Sequence, residues 1–230
     1  MINARMLLVS DDPETGDTWA YVLRHRGAEV VLAGSTRDAL DRWVEGTFDL
    51  IAINVCTSQL DGVDLCRQLR AEVINPILLL TPIGNEDHIL EAYQAGVDEY
   101  IVKPISLSLF LTKVMAWLRH SWTVPTTALD SLQVGDIRLD PTRREVVTAT
   151  GSAVKLTNLE FRLLHFLMGH HGQVLEPGVI VDRVWGYTGG GDSVSLKNVV
   201  YRLRRKIEPD PSRPRYIQTV AGEGYAFQPR

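Results

Sequence analysis

A doubly wound α/β domain followed by a smaller α+β domain is the architecture this 230-residue chain predicts. Three observations carry it. Through residue 122, short apolar runs alternate with helix-spaced segments five times over, the pattern of a parallel sheet covered by helices. After Ser131 the pattern changes to short alternating strands, then helices, then a glycine-containing hairpin. The charge changes sign at the same place: residues 1–122 carry 10 Lys and Arg against 17 Asp and Glu, and residues 123–230 carry 14 against 11. Two halves of opposite charge imply different partners.

In the acidic half the elements follow in order. Met6 to Val9 is an apolar strand that runs into Ser10-Asp11-Asp12-Pro13-Glu14, and Trp19, Val22 and Leu23 then recur at helical spacing. The expected elements continue as strand Glu29–Leu32, helix Ser35–Trp43, strand Leu50–Ile53 and helix Val63–Arg70. Strand Ile77–Leu80, helix Glu86–Ala95, strand Tyr100–Val102 and helix Ser106–Arg119 complete the set. Leu50 to Ile53 are apolar on both faces, as in a strand buried between helix layers. Asp11, Asn54, Thr81 and Lys103 fall at the carboxyl ends of the first, third, fourth and fifth strands, where they can converge on one crevice. By spacing alone this is either a flavodoxin-like enzyme or ligand sensor, or a signalling domain. No glycine-rich phosphate loop follows the first strand, which disfavours the enzyme.

Those four strand ends, with the Asp61-Gly62 turn, Lys103-Pro104 and Tyr100, resemble the receiver domains of bacterial response regulators over residues 4 to 120. The resemblance implies a flavodoxin/CheY-like five-stranded parallel fold with an acidic pair for Mg²⁺, a phosphoacceptor aspartate, a hydroxyl, a lysine and a switch aromatic. Thr81, Lys103 and Tyr100 match the last three. The acceptor position holds Asn54, and aligning Pro13-Glu14 with the family's Pro-Glu step puts Ser10 at the first acidic place and Asp11 at the second. A one-residue slip would make Asp11 and Asp12 the pair instead.

A neutral carboxamide is a poor nucleophile and brings no charge to a hard cation. The site is therefore expected to be degenerate, with Mg²⁺ held weakly at Asp11 or not at all, and no other cofactor. Lys103, without its usual carboxylate, is expected to pair with Asp11 or Asp12. Thr81 is either a remnant of the switch or a hydroxyl satisfying nearby backbone. Cys56 and Cys66 lack metal-ligand spacing and read as inert intracellular thiols. The rival readings are phosphorylation at Asp11, Asp12 or Thr57, and a ligand-sensing α/β domain that controls DNA binding.

In the OmpR/PhoB subfamily the fourth helix, fifth strand and fifth helix form a twofold dimer face. Carried across, that face comprises Ile89, Leu90, Tyr93, Asp98, Glu99, Leu109, Lys113 and Arg119. Glu99 and Lys113 keep opposite charges, and Asp98 is placed to meet Arg119 or His120. A family ion pair falls on Ile89 and Leu109, both apolar here, which exchanges a screened pair for buried apolar surface.

Ser121 to Ser131 lacks periodicity and contains Pro125, so the expected domains are 1–121, a linker over 122–130, and 131–230. Strands are expected at Leu132–Leu139, Glu145–Thr148 and Ala153–Leu156. Thr157-Asn158-Leu159-Glu160 opens a helix as a capping box, and a second helix spans Gly178–Trp185. In the third, Val194 to Ile207, Leu196, Val199, Val200, Leu203 and Ile207 form an inner stripe and basic residues fill much of the rest. Arg215 to Phe227 reads as two strands around Gly222 to Gly224.

LTNLEFRLL, VDRVWGY, NVVYRLRRKIE and YIQTVAGEGYAF, in that order, resemble the winged helix-turn-helix effector domain of OmpR/PhoB-type regulators. The resemblance implies a response regulator that binds double-stranded DNA as a homodimer on paired half-sites. It puts Lys197, Asn198, Tyr201 and Arg202 on base edges or groove walls, and Ser195, Arg204 and Arg205 on phosphates. Arg213 and Arg215 are expected on the backbone beside the wing. The loop from Tyr187 through Thr188 to Asp192 corresponds to the family's RNA polymerase contact. Ala221 and Ala226 stand where many members have arginine, which removes a minor-groove contact. With no signal-like or membrane-length apolar run, a cytoplasmic protein is expected, a DNA-binding regulator and not an enzyme. Whether a cognate histidine kinase acts on it is left open by the sequence.

Overall fold

Ser10 and Asn54 end neighbouring strands in register, and the sheet is organised around that step. The computed structural model describes residues 4–44, 48–71, 73, 75–123, 129–185 and 193–228. The chain divides into two compact units, Met1–Arg119 and His120–Arg230.

In the first unit, strands β1 (Arg5–Ser10), β2 (Glu29–Ala33), β3 (Leu50–Asn54), β4 (Ile77–Thr81) and β5 (Glu99–Val102) form one sheet in the order β2-β1-β3-β4-β5. Every pairing is parallel. Helices α1 (Pro13–His25), α2 (Thr36–Val44), α3 (Gly62–Arg70), α4 (Glu86–Ala95) and α5 (Leu107–Thr123) make the connections. The strand order reverses between β1 and β3, and in such sheets that switch point is where ligands bind. β3 and β4 are buried along their whole length, as their unbroken apolar runs require. Each fully buried Leu, Ile or Val contributes roughly 1.5–3 kcal/mol relative to exposure.

Local chemistry fixes where the helices start. Asp12, Asp61 and Asn85 each sit in extended conformation and accept from the backbone N–H three residues on, so α1, α3 and α4 begin immediately beyond these caps. Gly62 packs so tightly that an added Cβ would lie 2.5 Å from Leu79 Cδ1 and 2.7 Å from Val55 Cγ2. That contact clamps the loop after β3 against the sheet. Helix α5 continues to Thr123, so the first two residues of the expected 122–130 linker are helical.

The second unit begins with an antiparallel sheet of β6 (Leu132–Val134), β7 (Ile137–Asp140), β8 (Glu145–Val147) and β9 (Ala153–Lys155). The run read as one strand, Leu132–Leu139, is a hairpin instead. Gly135 turns it with φ of 61°, a conformation that favours glycine. Three helices follow: α6 (Asn158–Gly169), α7 (Pro177–Trp185) and α8 (Ser193–Ile207). The capping box is formed in both directions, Thr157 to the Glu160 amide and Glu160 to the Thr157 amide. A small sheet of β10 (Val174–Leu175), β12 (Gly224–Phe227) and β11 (Ile217–Val220) makes the wing. Gly224 is required there, because a Cβ would meet Leu175 O at 2.0 Å.

Candidate functional site

The crevice at the switch point is closed by its own side chains. Asn54, 1% exposed, donates from Nδ2 to Ser10 Oγ at 3.0 Å and to Cys56 Sγ at 3.2 Å. Ser10 in turn donates to the Asp12 carbonyl at 3.0 Å. Asp11 accepts from the Cys56 amide at 2.6 Å, from the Thr57 amide at 2.8 Å and from Thr57 Oγ1 at 2.6 Å. Asp12 faces the other way, capping α1 through the Thr15 amide at 3.1 Å and the Thr15 hydroxyl. The Thr15 hydroxyl and amide hold its carboxyl below the ordinary value.

Lys103 differs from expectation. Its Nζ donates to the Val55 carbonyl at 2.7 Å and to Cys56 Sγ at 3.2 Å; it makes no direct contact with either carboxylate, though after Thr15 its charge also helps lower the Asp12 carboxyl. The reason is local: both carboxylates are already occupied by amides and hydroxyls of neighbouring loops. Thr81 is 1% exposed, and its hydroxyl both accepts from the Ile83 amide at 3.3 Å and bonds the Tyr100 phenol, so neither of its two readings is singled out. Tyr100 donates to the Ile83 carbonyl at 2.7 Å and lies 2.7 Å from His88 Nδ1. With its single proton so used, the phenol accepts from Nδ1–H. Burial pushes it up to about 12, against an opposing pull from the Thr81 hydroxyl.

These residues do not fit a resident Mg²⁺. Ser10 and Asn54 are neutral, Asp11 already accepts three hydrogen bonds, and Asp12 caps a helix. Among the described residues no group of three His, Cys, Asp or Glu is disposed to hold a metal.

On the face formed by α4, β5 and α5, several expected partners are engaged within the chain. Asp98, 2% exposed, pairs with Arg70 Nη2 at 2.5 Å and accepts from the Ile77 amide at 2.9 Å. Arg119 and His120, the partners expected for it, have side chains that lie outside the described residues. Glu99 is buried between Lys113 and the Trp117 indole N–H. Tyr93 is also buried, at 2% exposure. Ile89 is half-buried, while Leu90, Val102, Leu109 and Met115 are exposed. No local sequence pattern shows that Arg70, from α3, reaches Asp98.

Helix α8 buries Leu196, Val199, Val200, Leu203 and Ile207 as expected. Lys197, Tyr201 and Arg205 are exposed at spacings of four residues, and the Arg205 guanidinium lies 5.9 Å from the Tyr201 ring centre. Asn198 is half-buried beside them. Arg202 corrects the base-edge expectation: its side chain is 10% exposed and lies 3.3 Å from Glu160, which Lys206 also meets at 2.7 Å. Burial pushes the Glu160 carboxyl up, but Arg202, Lys206 and the Thr157 amide outweigh it and hold the group below its ordinary value. Arg204 corrects the phosphate expectation, donating to the Ile217 carbonyl at 2.9 and 2.6 Å and to Thr219 Oγ1 at 2.8 Å. Ser195 is likewise buried. Arg213 and Arg215 are exposed before the wing. Ala226 is buried in the wing sheet between Val174 and Gln218, whereas Ala221 is exposed at its tip. The expected polymerase contact loop, Tyr187, Thr188 and Asp192, lies outside the described residues.

A five-stranded sheet with a switch-point crevice, joined to a winged-helix unit with an exposed basic stripe, defines a two-component response regulator with a DNA-binding effector domain. Residues 6–115 match the response regulator receiver domain family, and residues 151–227 match the transcriptional regulatory protein, C terminal family. The chain belongs to the OmpR/PhoB-type response regulators. It is 34% identical over 229 residues to the DNA-binding dual master transcriptional regulator RpaA of Synechocystis, covering 97% of this chain and 95% of that protein. It is 33% identical over 225 residues to the sensory transduction protein RegX3 of Mycolicibacterium smegmatis, covering 97% and 98%. Among solved structures, a mutant form of RitR shares the fold with a TM-score of 0.81 at 23% identity, over 99% of this chain and 100% of that one.

Proposed function

We propose that this chain is a cytoplasmic transcription regulator that binds paired DNA half-sites as a homodimer and needs no aspartyl phosphorylation. The observation that carries this reading is the buried Asn54–Ser10 hydrogen bond at the switch point, which puts two neutral groups where an acceptor carboxylate and a metal ligand would act. A carboxamide engaged with a hydroxyl offers no carboxylate oxygen to attack a phosphoryl donor. Asp11 and Thr57 are hydrogen-bonded to each other, and Asp12 caps a helix, which argues against the rival acceptors. The output is binding and not catalysis, and no cognate kinase is required.

DNA contact falls to Lys197, Asn198, Tyr201 and Arg205, with Arg213 and Arg215 on the flanking backbone. A helix of this length presents about four turns to a major groove. Exposed Leu90, Val102, Leu109 and Met115 favour an apolar contact between two receivers, little sensitive to salt. The loop Tyr187–Asp192 is the polymerase contact. The test is incubation of the full chain with Mg²⁺ and acetyl phosphate, followed by intact mass and hydroxylamine lability. No phosphoryl adduct is expected, while Asn54→Asp with Ser10→Asp is the positive comparison. A stoichiometric acyl phosphate on the unaltered chain would overturn the reading.

A further inference from the structure

Two charged side chains one helical turn apart tie the end of α8 to the wing strand β11. Glu208, 8% exposed, directly follows the helix and still donates its amide to the Arg204 carbonyl at 2.9 Å. Its carboxylate accepts three backbone N–H groups of the chain entering β11, from Arg215 at 2.7 Å, Tyr216 at 2.9 Å and Ile217 at 2.8 Å. The half-buried Arg204 donates to the Ile217 carbonyl at 2.9 and 2.6 Å and to Thr219 Oγ1 at 2.8 Å. The acid therefore holds donors where the strand begins, and the base holds acceptors further along it. Hydrogen bonds to ionised groups with several partners are the stronger and more directional kind. Two separated attachments fix a strand's rotation as well as its distance, which a single attachment cannot do. The connection between them contains Pro209, Pro211 and Pro214, and its turn is held by the Asp210 carboxylate on the Ser212 amide at 2.9 Å.

Each attachment adjoins a residue that faces out. Arg204 precedes exposed Arg205, Arg215 is itself exposed, and Thr219 lies two residues before exposed Ala221 at the wing tip. We propose that Arg204 and Glu208 are positioning residues for DNA specificity, holding the wing and Arg215 at one offset from the stripe of Lys197, Tyr201 and Arg205. Neither residue touches DNA in this scheme. Groups already ordered relative to one another bind without a further loss of conformational freedom, so the core of a site and its flank are read together at one spacing. With the clamp removed, the same outward side chains remain but no longer meet the flank in register. The inference rests on the DNA contacts proposed above and adds what sets their mutual placement.

The full chain is titrated against its selected DNA site at several salt concentrations, because the slope of log K against log salt counts the phosphates engaged. Arg215→Ala is expected to make that slope shallower by about 1 in the unaltered chain, and to change it no further in Glu208→Gln, where the arginine is present but out of place. Ala221→Arg is expected to tighten binding at sites flanked by A·T steps, and to lose most of that gain in Arg204→Met. A role confined to stability would lower the melting temperature and leave both pairs additive in titrations run well below it. Should either background fail to fold, Arg204→Lys and Glu208→Asp, which do not span the same partners, carry the same expectations. Additive pairs in folded variants overturn the proposal while the DNA contacts stand. A Lys197→Ala chain that binds as tightly as the unaltered one overturns the contact assignment, and the proposal with it.

Discussion

Glu160 is a charged side chain at 1% exposure, and its position explains why Arg202 and Lys206 of α8 turn inward rather than to the surface. Its carboxylate closes the α6 capping box and also meets Arg202 and Lys206 of α8. Removing one member of a buried charge cluster leaves the others uncompensated, so Glu160→Ala should destabilise the effector unit by about 3–5 kcal/mol. Urea unfolding followed by a probe in that unit checks this. His165 offers a pH-dependent counterpart. Burial lowers its imidazole below the ordinary value, with Asp130 opposing, so the folded unit favours the neutral ring. Its stability contribution is therefore full above the unfolded value of about 6.5 and is lost as pH falls below it. His165→Phe should flatten the stability profile between neutral pH and the folded value.

Helix α8 shows what an element adds to its residues. Lys197, Tyr201 and Arg205 make one exposed stripe, while Arg202 and Arg204 turn to Glu160 and to the wing strand β11. Lys197→Ala or Arg205→Ala should weaken DNA binding and reduce the salt slope by about 1 each, with the melting temperature unchanged. Arg204→Ala should chiefly lower effector-unit stability, and titrations at several salt concentrations beside thermal melts separate the two classes. Restoring a cation at the exposed wing tip, Ala221→Arg, should tighten binding to sites flanked by A·T steps, whereas Ala226→Arg should disrupt the buried wing sheet. The helical period made the inner stripe legible from sequence, and the strand-end residues placed the crevice. Arg202, Arg204 and Asp98 were not legible in the same way, because their partners come from elements 13 to 42 residues away and no local pattern encodes such contacts. Strand β10 escaped notice because two residues carry no period.

For the whole molecule, the proposed function turns on a receiver domain that has the five-stranded sheet, the switch point and Lys103, with Asn54 at the end of β3. Asn54, Ser10, Cys56 and Lys103 form one hydrogen-bonded network within the crevice. In the proposed function, self-association falls to the exposed apolar face of Leu90, Val102, Leu109 and Met115. Leu109→Glu should therefore shift the chain toward monomer in analytical ultracentrifugation and weaken binding to paired half-sites more than to a single one. The most direct measurement of the account is a titration of the untreated chain against its selected DNA site, repeated after incubation with Mg²⁺ and beryllofluoride or acetyl phosphate. Equal affinity for the paired site in both conditions is the predicted result. Tight binding that appears only after treatment would contradict it, and would mean that another residue of the crevice takes the phosphoryl group.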